Sequence, residues 1–220
     1  MRGYGTVPVY EKTIRIVTNY GAAALFREDT VRNLTDTAQP VDDGYHIQLS
    51  GTFMSGGGCY VLPVTAKKLL LRDSAPHETD PFAVYDAGTR LDPIRCYQYI
   101  PEPVEGLSDL PQVRDYCTDA GGQELTAEML VNTGNDAAAY VIRSLQCYPR
   151  SLLAKRATID CMYALEPCKT RPNSIKQKTI DGEVVYVGPR GQCTGWIILG
   201  ATRDRQEIDT LTYLIRSAAR

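Results

Sequence analysis

Short alternating segments separated by turn residues dominate the first half of this chain, and they constrain its fold more than any other feature. Residues 45–53 place Tyr45, Ile47, Leu49 and Phe53 on one face of an extended strand, with polar side chains between them. Further short segments of this kind lie at 13–18, 30–34, 59–64, 68–72, 82–85 and 94–100. Many short strands with turn signals between them predict an antiparallel β-sandwich or barrel-like part over about residues 1–105.

The second half of the chain shows a helical pattern followed by a turn-rich end. The segments 125–131, about 135–147 and 151–165 space their apolar residues as helices do, so we predict helices within about 125–165. The Asp181-Gly182 pair lies between two strand-like segments and predicts a tight hairpin, which with a third strand at 193–199 covers about 175–199. Asp204 followed by Glu207 favours a C-terminal helix over about 205–219.

The predicted fold class is therefore α+β. An N-terminal sandwich-like part over residues 1–105 is followed by an α+β part over 106–220, which holds the helices, a small antiparallel meander and the C-terminal helix. A chain of 220 residues can bury a core of its own, so the two parts can also form one compact unit.

Cysteine usage fits no familiar framework. The seven residues show no CxxC spacing, and they are Cys59, Cys96, Cys117, Cys147, Cys161, Cys168 and Cys193. One interpretation makes them small buried apolar residues in a reducing environment. The other makes some of them disulfide partners within or between chains, which would accommodate the odd number. Two thiols seven residues apart, Cys161 and Cys168, make half a metal site at best, so we predict no metal or cofactor.

Tyrosine is used far more than the other aromatic residues, with 14 Tyr against 3 Phe and 1 Trp. A tyrosine ring suits contacts that are wet before assembly and buried after it, because it combines an apolar body with a polar tip. This favours subunit contacts, with copies of the same chain and with other structural proteins as the predicted partners. Tyrosine is also simply a good strand residue, and that alternative stays open.

Charge gives a weaker signal. The formal net charge of −2 makes nucleic acid an unlikely partner for the chain as a whole. A local basic excess between residues 143 and 178 could nevertheless contact phosphates or an acidic partner surface. Its candidate contact residues are Arg143, Arg150, Lys155, Arg156, Lys169 and Arg171. The alternative is an ordinary solvated face.

No catalytic signature is present among the nucleophile, metalloprotease and phosphate-loop motifs. Cys59 after three glycines, with His46 as a base, is the one arrangement that resembles a nucleophile and its activator. His77 lies in an acidic, proline-containing segment. Paired carboxylates can act together in space without any sequence motif, so a glycosidase-like use of acidic residues stays open.

A resemblance adds one further indication. The stretches VRNLTDTAQPV at 31–41, YVLPV at 60–64 and KLLLRD at 68–73 resemble the strands of β-sandwich accessory proteins in tailed-phage particles. The resemblance implies a neck, tail or capsid-associated structural protein of a virion. It implies no site residues.

The leading hypothesis from the sequence is thus a structural protein of a large oligomeric assembly, not an enzyme. The alternatives are a hydrolase that uses acidic residues or a Cys nucleophile, and a binding module that uses the basic surface at 143–178. No run of about 20 apolar residues and no apolar leader are found, so the expected location is the virion, assembled in a host cytoplasm, without a signal peptide or membrane segment.

Overall fold

The computed structural model describes residues 8–54, 56–71, 80–84, 91–117, 122–134, 136–157 and 162–219. Fourteen strands, three α-helices and two 3-10 turns are formed there. The strands are β1 Tyr10–Thr18, β2 Ala24–Asn33, β3 Gln39–Val41, β4 Ile47–Ser50, β5 Gly58–Val61, β6 Leu70–Leu71, β7 Ala83–Val84, β8 Leu91–Tyr99, β9 Leu125–Asn132, β10 Ala137–Ser144, β11 Arg150–Ala157, β12 Met162–Cys168, β13 Val185–Val187 and β14 Gln192–Thr202. The helices are α1 Pro111–Tyr116, α2 Ile175–Ile180 and α3 Arg205–Ala218, and the 3-10 turns are Ala66–Lys68 and Leu107–Asp109.

Two large antiparallel sheets carry the fold. The first has seven strands in the order β1-β2-β14-β10-β9-β5-β7, and the second has five in the order β4-β12-β11-β8-β6. A two-stranded ribbon pairs β13 with β3. The predicted α+β class with a β-sandwich-like arrangement is confirmed.

Helices α1 and α3 cover one face of the seven-stranded sheet. Helix α3 buries Ile208, Leu211 and Ile215, and these join a cluster with sheet residues that include Met129 and Ile198. Asp204 caps the helix, because its carboxylate accepts hydrogen bonds from the backbone N–H groups of the first turn. The predicted C-terminal helix is therefore confirmed.

The other face of the seven-stranded sheet packs on the five-stranded sheet. Leu130, Val141 and Ile197 from the first sheet share a buried cluster with Leu153 and Leu165 from the second. Since side chains alternate along a strand, consecutive residues of the central strands feed two different cores. The seven-stranded sheet is the middle of three layers.

Three of the predicted helices are wrong, because the segments at 125–131, 135–147 and 151–165 belong to strands β9 to β12. The physical reason is burial on both faces. In β9, all residues except Val131 are buried, so the segment lacks the apolar–polar alternation of a half-exposed strand. Asp136, at the start of the second of these segments, lies in the turn between β9 and β10, with φ of 46°.

The predicted hairpin at 175–187 is also wrong. Ile175–Ile180 is helix α2, whose N-cap Ser174 accepts a hydrogen bond from Gln177 N at 3.2 Å. Gly182, with φ of 69°, follows the end of this helix. An Asp-Gly pair therefore serves here as a helix C-terminus, because a left-handed glycine is common just after a helix as well as in a hairpin turn. The third predicted strand, 193–199, is confirmed within β14.

Both halves of the chain contribute to both sheets. The seven-stranded sheet places β2 beside β14, and the five-stranded sheet places β8 beside β11. Each of the two large sheets therefore contains strands from both sides of the boundary predicted near residue 105. Among the described residues, no helix combines the length and the apolar character needed to cross a membrane.

Candidate functional site

One row of side chains crosses the outer face of the five-stranded sheet. Leu152 lies opposite Gln98 on β8 and opposite Glu166 on β12, and Gln98 in turn lies opposite Leu70 on β6. Residues opposite one another in an antiparallel pair share a face. Their sequence neighbours, such as Leu153, belong to the core between the sheets, so the row faces outwards.

A groove of about 510 Å³ lies over this row. Apolar contacts come from Leu70, Ile100, Leu152 and Pro172, while hydrogen-bonding side chains surround them. Those polar side chains are Lys68, Gln98, Glu102, Arg150 and Arg171. A mainly apolar groove with a few convergent polar groups is the usual form of a small-molecule site.

The charged side chains of the groove are held in pairs. Lys68 Nζ lies 2.5 Å from Glu102 Oε1 at one rim. At the other rim, Glu183 Oε1 lies 3.0 Å from Arg150 Nη2 and 2.9 Å from Arg171 Nε. This shared carboxylate fixes both guanidinium groups, so their remaining N–H groups are directed by the protein before any ligand binds.

A carboxylate–imidazole pair lies beside the groove. His46 Nε2 is 3.1 Å from Glu166 Oε1, and the two side chains are 56% and 16% exposed. Because Glu166 lies opposite Leu152, the pair is one strand away from the floor of the groove. A half-buried carboxylate next to an exposed imidazole can exchange protons with a bound hydroxyl group.

A buried polar cluster lies on the inner side of the same sheet. Arg143 Nη2 is 2.9 Å from Glu128 Oε1 and 2.5 Å from Ser151 Oγ, and both charged side chains are 0% exposed. Arg143 Nε also donates to Tyr148 O at 3.0 Å. Ser151 immediately precedes Leu152 and follows Arg150, so this cluster fixes the strand that carries the floor and one rim of the groove.

Three of the described cysteines are poorly suited to act as nucleophiles. Cys168 lines the groove, but burial raises the pKa of its thiol to about 12. Burial also raises the pKa of Cys59 and of Cys193. A buried thiol that stays protonated at neutral pH is a poor nucleophile. Cys59, Cys147, Cys168 and Cys193 are free thiols; Cys161 lies outside the described residues, and disulfides between chains stay a prediction.

The proposed pairing of Cys59 with His46 is not formed. Cys59 is on β5 and packs against the cluster under the helices, whereas His46 contacts Glu166 on the outer face of the other sheet. Both sheets lie between them. The second histidine, His77, lies outside the described residues.

The six residues of the predicted basic surface do not share one surface. Arg143 and Lys155 are buried at 0% and 2% exposure, and Lys169 at 9%. Lys155 donates to the carbonyl oxygens of Pro81 and Ala83, so it serves the interior. The other three residues are Arg150 and Arg171 at the rim of the groove and the exposed Arg156. On β11, strand alternation separates the buried Lys155 from Arg150 and Arg156, which project from the opposite face.

Other residues in and beside the groove carry no signal in the sequence. Gln98 and Glu102 line the groove, whereas Glu166 and Glu183 lie beside it, and only strand register and tertiary contact bring these residues together. The polar face of residues 45–53 did indicate an exposed His46, but nothing marked Glu166 as its partner.

The comparisons with known proteins concern the fold. No protein-family model matches the chain, and no curated protein matches it either. A Klebsiella pneumoniae structure described as a candidate aldose 1-epimerase is similar over 96% of this chain and 51% of its own, with a TM-score of 0.76 and 12% identity. A galactose mutarotase-like protein of Clostridium acetobutylicum (88% of this chain, 62% of that one, TM-score 0.52, 13% identity) and a galactose mutarotase related enzyme of Lactobacillus acidophilus (88%, 61%, 0.55, 9%) are similar too.

These likenesses correct the sequence-based function. At such low identity they establish the fold, and this chain spans about half to three fifths of those structures' lengths. The fold is that of aldose 1-epimerase and mutarotase-like proteins, so the resemblance to phage structural proteins is wrong, together with the predicted virion role. The predicted virion location finds no support in these comparisons. The expectation of a purely structural, non-enzymatic chain is contradicted by the same finding.

Proposed function

We propose that the groove on the five-stranded sheet binds an aldose sugar and that the protein is a carbohydrate-active enzyme acting at the anomeric carbon. The observation that carries the proposal is the shared fold over 96% of the chain with a candidate aldose 1-epimerase. The groove supports it with the chemistry that a sugar requires. Carboxylates accept hydrogen bonds from hydroxyl groups, guanidinium groups donate them, and the amide of Gln98 does both.

Interconversion of two anomers needs one group that removes a proton and one that supplies it. The anomeric O–H loses its proton to a base while the bond from the anomeric carbon to the ring oxygen breaks, and that oxygen takes a proton from an acid. The open aldehyde then rotates and recloses by the reverse steps, with no net oxidation. We assign the base to Glu166 and the acid to the imidazolium form of His46.

Polarimetry on freshly dissolved α-D-galactose and α-D-glucose tests the catalytic part. The wild-type protein is expected to shorten the approach to equilibrium beyond the spontaneous rate, and Glu166→Gln and His46→Gln are each expected to lower the catalysed rate about 10²–10⁴-fold. Glu105→Gln, which removes an exposed carboxylate outside the groove, is the matched control and should keep the rate.

Saturation-transfer NMR with the same sugars tests the binding part. Gln98→Leu and Arg150→Met are expected to weaken the transfer, because each removes polar contacts from the groove while keeping most of its volume. Binding without rate acceleration would overturn the enzymatic assignment and leave a sugar-binding protein. Neither binding nor acceleration would overturn the proposal as a whole.

A further inference from the structure

Strand β1 forms an open edge of the seven-stranded sheet. In the described part of the chain it pairs with β2 alone, and its residues are exposed apart from a half-buried Val17. Ile14 and Ile16 are 49% and 58% exposed, which is unusual for isoleucine in a strand. An open edge that is nine residues long offers about 30 Å of backbone for pairing with another strand.

The hydrogen-bonding pattern shows which backbone groups point outwards. Leu34 N donates to Val9 O at 2.8 Å, whereas Asn33 N donates away from β1, to Gly191 O. Because bonded and non-bonded pairs alternate in an antiparallel ladder, odd-numbered residues of β1 bond to β2. The N–H and C=O groups of Tyr10, Lys12, Ile14 and Ile16 are therefore directed to the open side.

The charges of β1 do not protect this edge. Lys12 Nζ lies 2.8 Å from Asp29 and 3.1 Å from Asp43, so its side chain folds back over its own sheet. Arg15 contacts Glu28 at 3.1 Å. Natural edge strands avoid further pairing with unpaired charges, prolines or bulges, and β1 is a regular strand without proline.

We propose that a second copy of this chain pairs antiparallel with β1 across a twofold axis and continues the seven-stranded sheet. The register is set by charge. When Glu11 lies opposite Arg15 of the other copy, the twofold axis passes between the two Thr13 residues and the Glu–Arg pair occurs twice. Tyr10 then lies opposite Ile16, which is a favourable aromatic–β-branched pair.

The neighbouring registers are less favourable. When the helix layers of both copies lie on the same side of the joined sheet, residues opposite one another project their side chains to the same side. The possible registers therefore differ by two residues. Shifting one copy by two residues in one direction places Lys12 opposite Lys12 of the other copy. Shifting it by four residues in the other direction places Arg15 opposite Arg15. The remaining register centres on Ile14 and contains no opposite-charge pair. Opposite charges across a ladder stabilise it, and like charges destabilise it.

Light scattering after size exclusion, over a range of protein concentrations, tests the proposal on the full chain. The wild-type protein is expected to approach twice its monomer mass of 24.3 kDa. Ile14→Pro removes an outward N–H without removing a bond to β2, so it should give a monomer. The control is Tyr213→Ser, which changes an exposed residue of helix α3 and should stay dimeric.

A charge exchange makes the test specific for the register. Glu11→Arg and Arg15→Glu should each be monomeric, because each brings like charges together twice. An equimolar mixture of these two variants should form a heterodimer, since every facing pair is then of opposite charge. Circular dichroism checks that each variant is folded.

Two results would overturn the proposal: a wild-type monomer at all concentrations, or a dimer that survives Ile14→Pro and both charge reversals. Neither result bears on the sugar site, which is tested separately.

Discussion

Removing Arg143 should destabilise the protein more than any change at the surface. Its guanidinium group is fully buried and contacts Glu128, Ser151 and the carbonyl of Tyr148. In an Arg143→Met variant the Glu128 carboxylate stays buried without its counter-charge. Breaking a buried ion pair in this way costs about 3–5 kcal/mol of unfolding free energy.

A double variant separates the charge from the packing. In Glu128→Gln/Arg143→Met the buried charge is gone, and paired apolar or neutral replacements of a buried ion pair are often close to neutral. We therefore expect the double variant to recover at least half of the loss. Glu128→Gln alone should fall between the two, because it leaves the guanidinium group unpaired.

Urea unfolding followed by fluorescence measures these free energies, because the single tryptophan, Trp196, is 6% exposed in the folded chain. With a denaturant slope of about 2 kcal/mol/M, Arg143→Met should lower the midpoint by roughly 1.5–2.5 M. Lys67→Met, a change at an exposed lysine, serves as the control. A loss below about 1 kcal/mol in Arg143→Met would show that the cluster does not support strand β11 as inferred.

Three further outcomes follow from local geometry. Gly195→Ala should lower the unfolding free energy by about 1–3 kcal/mol in a thermal melt, because the added Cβ would lie 2.6 Å from Tyr148 Oη in a buried contact; an unchanged melting temperature would contradict this. Asp204→Ala removes the N-cap of the last helix and should cost about 1 kcal/mol, visible in the same assay, whereas Asp209→Ala at an exposed position of that helix should cost less. Alkylation of the native protein near neutral pH should spare Cys168, since burial raises its pKa to about 12, and peptide mass spectrometry that found Cys168 modified as fast as in the denatured chain would refute that environment.

The sequence was informative where a strand had one wet face and uninformative where it had none. The alternation at 45–53 and the segments at 13–18 and 30–34 predicted real strands, and the last two lie in β1 and β2, which pair with each other. Strands β9 and β10 are covered by helices on one face and by a sheet on the other. Their continuous apolar sequence is compatible with a buried helix as well as a buried strand, so spacing alone could not decide.

Turn chemistry was ambiguous for a similar reason. Gly182 supplies the left-handed conformation that an Asp-Gly hairpin needs, but a helix end needs the same conformation. The serine that caps the helix at Ser174 was the signal that could have distinguished the two.

The candidate site could not be predicted, because it depends on cross-strand register. Gln98, Leu152 and Glu166 are separated widely in sequence and become neighbours only when β8, β11 and β12 pair. The basic residues between 143 and 178 form one group in the sequence, yet in the fold Arg143 and Lys155 are buried while Arg150 and Arg171 line the groove. Without knowledge of the strand register, one sequence does not show which basic residues are buried and which line the groove.

The exchange between anomers at equilibrium tests the proposed action on an aldose most directly. Two-dimensional exchange NMR on the anomeric protons of D-galactose measures the rate of interconversion with and without protein. We expect added exchange cross-peaks that grow with the wild-type concentration and disappear in Glu166→Gln. Exchange at the spontaneous rate at every protein concentration, for galactose and glucose alike, would contradict it.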